Sequence, residues 1–450
     1  MINAGSTAWV LVSAALVMLM TPGLALFYGG LVRSKSVLNM MMMSLVCLGI
    51  VGVLWMVFGY SLTFGNDIGG GLLGGLDHIG LRDSAVIVGP PSDRIPLYAF
   101  AMFQLMFAVI TAALLAGAIA DRAKFWSWVV FIVLWSCLVY FPVAHWVFAF
   151  DGFAAAKGGW IANQLKALDF AGGTVVEANS GASALALALI LGKRRGWPKE
   201  PMRPHNMPNV LLGAGLLWFG WFGFNAGSAL AMNLVAANAF VTTMVASAAA
   251  LMSWLIYEQV TEGRPTTLGA ASGAVAGLVA ITPACGFVDT WGALLIGALA
   301  GVVCAAAIKL KYKLGYDDSL DVVALHGMGG VLGMIMLGFV ATAKVNPASG
   351  ADGLFYGGGF GQLGRQALAV VVVVCYAFLV SLLLGWLVRS TIGFRVDREV
   401  EFAGIDEAEH AESGYDLSTL GSTGRGATGV GAPAAAHRQA ATTGQEDSIR

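Results

Sequence analysis

Two residues stand out for the chemistry they could do where they stand. Glu177 closes the run Gly172-Gly173-Thr174-Val175-Val176-Glu177, and His326 sits in Val322-Val323-Ala324-Leu325-His326-Gly327. Each lies roughly one and a half turns or more inside an apolar helical stretch. An ionisable side chain at the middle of such a stretch costs about 2.5–3.5 kcal/mol on insertion scales, so each needs a reason to be there. Desolvation and mutual attraction act on a carboxyl–imidazole pair in opposite senses. The pair can therefore exchange a proton near neutral pH and titrate as one unit. Two roles fit the residues: a proton-handling pair lining a narrow pathway, or a buried pair that holds two helices together.

Aromatic residues supply a second pattern. Phe100, Phe103 and Phe107 recur at i, i+3 and i+7, one face of a helix. Phe148 ends another apolar stretch, and Trp221, Phe222 and Phe224 lie beside Asn225 and Ser228. Such a stripe is ordinarily core or lipid contact, yet aromatic faces at an outer mouth can also recruit a small cation. The remaining polar residues suggest structure. Asp169 and Asp321 stand where a carboxylate caps a helix. Glu258 is expected at an interface, His145 as a hydrogen-bonded structural histidine, and His78 and His205 in loops. Cys47, Cys137, Cys285, Cys304 and Cys375 are scattered with no CxxC, which suits small core residues and neither disulfides nor metal ligands.

The elements that must position these residues are long and apolar. The 450 residues are 58% hydrophobic and 11% charged, with mean hydropathy +0.76. That charge content is less than half of the roughly 25% found in soluble domains, which excludes a soluble enzyme. A net charge of −1 offers no field to attract nucleic acid. The 60 glycines fall inside apolar runs, where small residues let membrane helices approach closely. Eleven spans of about 20 residues are expected, at 7–32, 37–64, 96–120, 125–149, 171–192, 209–230, 233–258, 267–283, 290–311, 321–342 and 364–391. They are too long for barrel strands. The first continues through Tyr28-Gly29-Gly30 without an A-x-A site or a basic leader, as a retained helix would.

One set of loops carries thirteen Lys and Arg, among them Arg33, Arg122, Arg194 and Lys311, against six in the alternate set. By the positive-inside rule the basic side is cytoplasmic, with the N-terminus outside and the C-terminus inside. An odd number of spans agrees. It also suits a five-plus-five inverted repeat with one extra helix, because Asp169 and Glu177 in the fifth span have counterparts in Asp321 and His326 in the tenth. Inverted repeats place their pathway between the halves. We therefore divide the chain into a membrane domain, 1–393, a patterned acidic cytoplasmic tail, 394–416, and a Gly/Ala/Thr/Ser-rich low-complexity tail, 417–450, expected to be disordered. Acids alternating with Phe402, Ile405 and Tyr415 make 394–416 either a solvated tether or a docking segment.

Long motifs then resemble a known family. The run from Met20 to Arg33 (MTPGLALFYGGLVR), Asp169 to Val176 (DFAGGTVV), Gly220 to Ser228 (GWFGFNAGS), Gly269 to Ala274 (GAASGA) and the tail stretch from Gly404 to His410 closely resemble the ammonium transporter (Amt/Mep/Rh) family, bacterial Amt branch. The resemblance runs in order from residue 6 to about 416.

It implies a homotrimer of eleven-helix protomers in the cytoplasmic membrane, each with its own hydrophobic pore for ammonium or ammonia, working without cofactor, metal or enzymatic step. An outer vestibule that recruits ammonium matches Phe103, Phe107 and Ser228, with Phe148 where the family usually has Trp. Two stacked phenylalanines that close the pore match Phe107 and Phe224. Of the family's two pore histidines one matches His326, and Glu177 replaces the other. Asp169 matches an aspartate that supports the recruitment site through helix geometry. A PII-type signalling protein binds the cytoplasmic face of bacterial members. Other readings are an ammonium sensor, against which the lack of a folded output domain after residue 416 argues, and a neutral ammonia gas channel.

Overall fold

The computed structural model describes residues 1–82, 85–200 and 202–415; the expectation for 417–450 lies outside them. Among the described residues eleven apolar helices follow one another: α1 Ala4–Leu31, α2 Ser34–Phe64, α3 Leu97–Ile119, α4 Phe125–Phe148, α5 Gly173–Leu191, α6 Met207–Gly227, α7 Leu234–Glu262, α8 Thr267–Ile281, α9 Thr290–Leu314, α10 Val323–Val340 and α11 Gly361–Thr391. Ten are long and apolar enough to cross a membrane, and α8, at 15 residues, is shorter. Every residue of α8 from Ala271 to Ile281 is buried by its neighbours. Protein, not lipid, surrounds it, so its length need not match a bilayer. The chain is a multi-pass membrane protein.

Local chemistry sets the helix starts. Asn3, Asn206, Asn233, Thr266 and Asp289 each accept an amide from the first turn of α1, α6, α7, α8 and α9. Asp169 does the same for α5, but Asp321 does not cap α10. The cap there is Asp318, whose Oδ2 accepts from the amide of Val323 at 2.7 Å. Asp321 instead adopts a positive φ of 62° and pairs with Lys311 Nζ at 2.6 Å. A basic residue within reach draws its carboxylate away from the helix end.

The first helices of the two halves, α1 and α6, pack along most of their length. Glycine makes this possible: a Cβ at Gly213 would strike the backbone of Phe27, and one at Gly220 would strike Met20. The partnership of α5 with α10 is equally close, with Gly181 opposite Gly327. These are the pairs that a five-plus-five repeat brings together. Both α5 and α10 also begin with a π-helical turn, Gly173–Ala178 and Val323–Met328. Such turns often occur at functional sites.

Other expectations need correction. Glu258 stands in the last turns of α7 but is buried there and not free in solvent: it accepts from the amide and hydroxyl of Thr266 and from the indole of Trp254. Cys375 is exposed on the outer side of α11 and Cys137 is half-buried, so two of the five cysteines lie outside the core. Arg122, counted among the loop cations, is wholly buried. A short hairpin, β1 Ile87–Val88 with β2 Ile95–Pro96, lies in the α2–α3 connection and was not legible beforehand.

Residues 394–414 lie against the membrane body, in two short helices, α12 Arg398–Ala403 and α13 Ile405–His410. Asp406 accepts from the amides of Leu38 and Asn39 at 3.0 and 2.8 Å. Glu401 accepts from Arg195 N and from Arg395 Nη2, each at 2.7 Å. With Ile405 and Phe394 buried as well, this segment docks on the chain's own loops and is not a solvated tether.

Candidate functional site

Phe107 from α3 and Phe224 from α6 stack face to face, centroids 4.1 Å apart and planes 23° from parallel. On one side of this stack opens a vestibule of about 820 Å³ whose wall includes Phe100, Gln104, Phe107, Phe148 and Ser228. Phe148 meets Phe107 edge-on at 6.4 Å, and Ser228 Oγ donates to Phe224 O at 2.8 Å. Phe103 stands behind this wall. It is fully buried, braces Phe107 at 4.9 Å and abuts Gly227, so it shapes the vestibule without lining it. Phe222 points away from the site and stacks on Phe240.

On the other side of the stack is a void of about 10 Å³, room for roughly one water-sized molecule. Phe224, Trp221, Ile110, Leu114 and Val176 wall it with hydrocarbon, and its polar lining includes Glu177 and His326. Phe27 borders this void and also a second vestibule of about 350 Å³ at the opposite end of the bundle. Vestibule, aromatic stack, narrow void and vestibule thus follow one another through the protein.

Glu177 and His326, both buried, meet inside the void, with His326 Nδ1 2.7 Å from Glu177 Oε2. One hydrogen bond joins them, carried by whichever of the two groups holds the shared proton. Glu177 Oε1 has no hydrogen-bonding partner among the described residues. A carboxylate oxygen and an imidazole nitrogen are thus available at one narrow point, a set that can accept and pass on a proton.

Asp169 holds the turn that carries Glu177. Its two oxygens accept from the amides of Gly172, Gly173 and Thr174 at 2.7–2.8 Å and from Thr174 Oγ1 at 2.5 Å. Gly172, at φ +114°, makes the bend that brings these amides round.

A buried cluster of charged residues lies on the far side. Asp317 takes two hydrogen bonds from the Arg194 guanidinium at 2.9 Å and one from the Arg194 amide at 2.7 Å. Arg122 reaches the Asp317 carbonyl and Ser319 Oγ. Burial pulls Arg122 down to about 10, still charged at neutral pH. Sequence reading placed these cations on the basic loops but gave no sign that they would fold inward onto Asp317.

A bundle of membrane helices around a narrow apolar conduit, interrupted by one buried acid–base pair, defines a membrane transporter or channel. Residues 8–415 match the model of the Ammonium Transporter Family. The chain is 57% identical over 434 residues to an ammonium transporter of Mycobacterium tuberculosis (strain ATCC 25618 / H37Rv), covering 92% of this chain and 91% of that one. It is 46% identical to an ammonium transporter of Bacillus subtilis (strain 168), covering 92% and 99%. Among solved structures, Saccharomyces cerevisiae Mep2 aligns with a TM-score of 0.80 at 34% identity, covering 88% of each chain. A sensor Amt protein aligns at 0.82 and 30% identity, covering 90% of this chain and 98% of that one. This chain belongs to the ammonium transporter family.

Proposed function

We propose that the protein takes up ammonium across the cytoplasmic membrane as ammonia plus a proton, with the N-terminus outside and the tail inside. The observation that carries this is the Glu177–His326 pair in a void of about 10 Å³ directly beneath the Phe107–Phe224 stack. Ammonium and potassium are similar in size, so a sieve cannot separate them. Crossing a dry aromatic constriction strips an ion of water at a cost that potassium has no means to avoid. Ammonium can shed its proton. Ammonia then crosses as a neutral molecule, while Glu177 and His326 pass the proton on.

Phe107, Phe148 and Ser228 form the recruitment site in this reading, with Phe103 bracing it. Phe107 and Phe224 form the gate, and Asp169 fixes the geometry of the turn bearing Glu177. The membrane domain, 1–393, is the transport body, assembled as a homotrimer. The segment 394–416 is a regulatory tail, and with the basic loops it forms the face for a PII-type signalling trimer. Family membership supports the trimer and the PII partner. The docking of Glu401 and Asp406 on the loops supports the tail's role.

The test is current from purified protein in liposomes after an ammonium jump, with potassium as control. A selective ammonium current is expected. Ammonia flux without current would replace this reading with a neutral channel, and ammonium binding without flux would replace it with a receptor.

A further inference from the structure

His145, in the last turn of α4, is completely buried. Its Nδ1 lies 2.8 Å from the carbonyl oxygen of Thr63, at the end of α2. A carbonyl only accepts, so Nδ1 carries a hydrogen. The other ring nitrogen, Nε2, faces Asp67 Oδ1 at 3.4 Å. Both atoms are sealed from solvent, and neither has a hydrogen-bonding partner among the described residues. A neutral imidazole with its hydrogen on Nδ1 would set a lone pair against a carboxylate oxygen. Two desolvated acceptors would then oppose each other.

A hydrogen on Nε2 removes the conflict. Asp67 is the charged group that faces the ring. Burial works against its ionised form, but the amides of Gly71 and Gly69 and the His145 ring outweigh it and hold the carboxyl below its ordinary range. The helix ends three residues later, so the negative pole of its dipole lies beside the imidazole. Of the neighbouring acids, Asp77 accepts from the Asn66 amide and Asp151 from the Gly158 amide, while Lys157 meets this corner through its main-chain carbonyl, which accepts from the amide of Asp67.

We propose that His145 is a positioning residue for the vestibule, held as an imidazolium between the Thr63 carbonyl and the Asp67 carboxylate. The clamp ties the end of α4 to the chain that follows α2. Phe148 stands one turn beyond His145 and presents its edge to Phe107, so the clamp sets where that ring lies. Two contacts tie down the same corner: Trp146 Nε1 to Leu72 O, at 2.8 Å, and Gly159 N to Ala149 O, also at 2.8 Å.

Nitrogen NMR of histidine-labelled protein in bilayers at pH 7 tests the charge directly, with His145→Gln assigning its signal among the six histidines. Both ring nitrogens should be protonated in the wild type. In Asp67→Asn the side-chain amide can donate to Nε2, so His145 should become neutral with its hydrogen on Nδ1. The positioning role rests on the transport reading and is read as apparent ammonium affinity in liposomes. Asp67→Asn should keep that affinity, whereas Asp67→Ala and His145→Ala should weaken it about two- to fivefold, the scale of one cation–π contact. A neutral His145 in the wild type, or unchanged affinity in both alanine variants, overturns the proposal. Should the wild type carry no current, the transport reading fails by itself and the NMR result still decides the charge.

Discussion

Glu177 Oε2 and His326 Nδ1 meet at 2.7 Å from the opening π-helical turns of two helices that are 149 residues apart in the chain. A π-turn widens the helix by one residue and re-aims what it carries. Here it turns a carboxylate and an imidazole inward where α5 and α10 cross, Gly181 against Gly327. Neither polar group faces lipid, and hydrocarbon surrounds both. The pair is thus the polar interruption of an otherwise apolar passage.

Phe148 offers a gain-of-function test. Trp is the strongest cation–π partner, and such a contact is worth about 0.5–1 kcal/mol at an exposed site. Phe148→Trp should therefore improve apparent ammonium affinity by about two- to fivefold. Concentration–response curves of the liposome current would show the shift, and maximal current should change little.

Asp169 predicts a combined loss. Its carboxylate accepts four hydrogen bonds that hold the turn bearing Glu177. Asp169→Ala should destabilise the protein by about 3 kcal/mol, the scale of a lost charged cap. It should also abolish ammonium current. Thermal denaturation in detergent and liposome current on the same preparation check both.

The adjacent aspartates at the other end of the bundle should respond to pH with opposite signs. Asp317 is buried, which alone would raise it, but Arg194 and Arg122 hold it below the usual carboxylate range. Its contribution to stability is present at neutral pH and lost as pH falls below about 4. Burial and the nearby Asp321 push Asp318 up to about 6, against the pull of Lys311. Its contribution therefore falls as pH rises from about 4 to about 6. Asp317→Asn should lower stability at pH 7 by about 3–5 kcal/mol, the cost of breaking a buried pair, and should flatten the acid limb. Asp318→Asn should remove the fall between pH 4 and 6. Melting curves from pH 3 to 7 separate the two.

Much of this was legible in the sequence because the signals are local. Spans announce themselves as apolar runs, and Glu177 and His326 are conspicuous because ionisable residues inside such runs are rare. The stripe Phe100, Phe103, Phe107 marks a helix face, but periodicity cannot tell the ring that lines a vestibule from the one that braces it. Cap assignment failed at Asp321 because Lys311, ten residues earlier, competes for its carboxylate. The inward fold of Arg122 and Arg194 onto Asp317, and the clamp of His145 between Thr63 and Asp67, were hidden for the same reason. Their partners lie on separate elements, and no pattern along the chain links them.

The most direct test of the central claim is ammonium-jump current through wild type, Glu177→Gln and Glu177→His in matched liposomes, with potassium as control. Gln keeps the shape of the side chain and cannot carry a proton, so current should fall by roughly tenfold or more, the scale on which a positioned proton acceptor acts. His restores a titratable group and should restore current, with an altered pH profile and sharper discrimination against potassium. Wild-type current and pH profile in Glu177→Gln would contradict the account, because the proton would then cross without the pair.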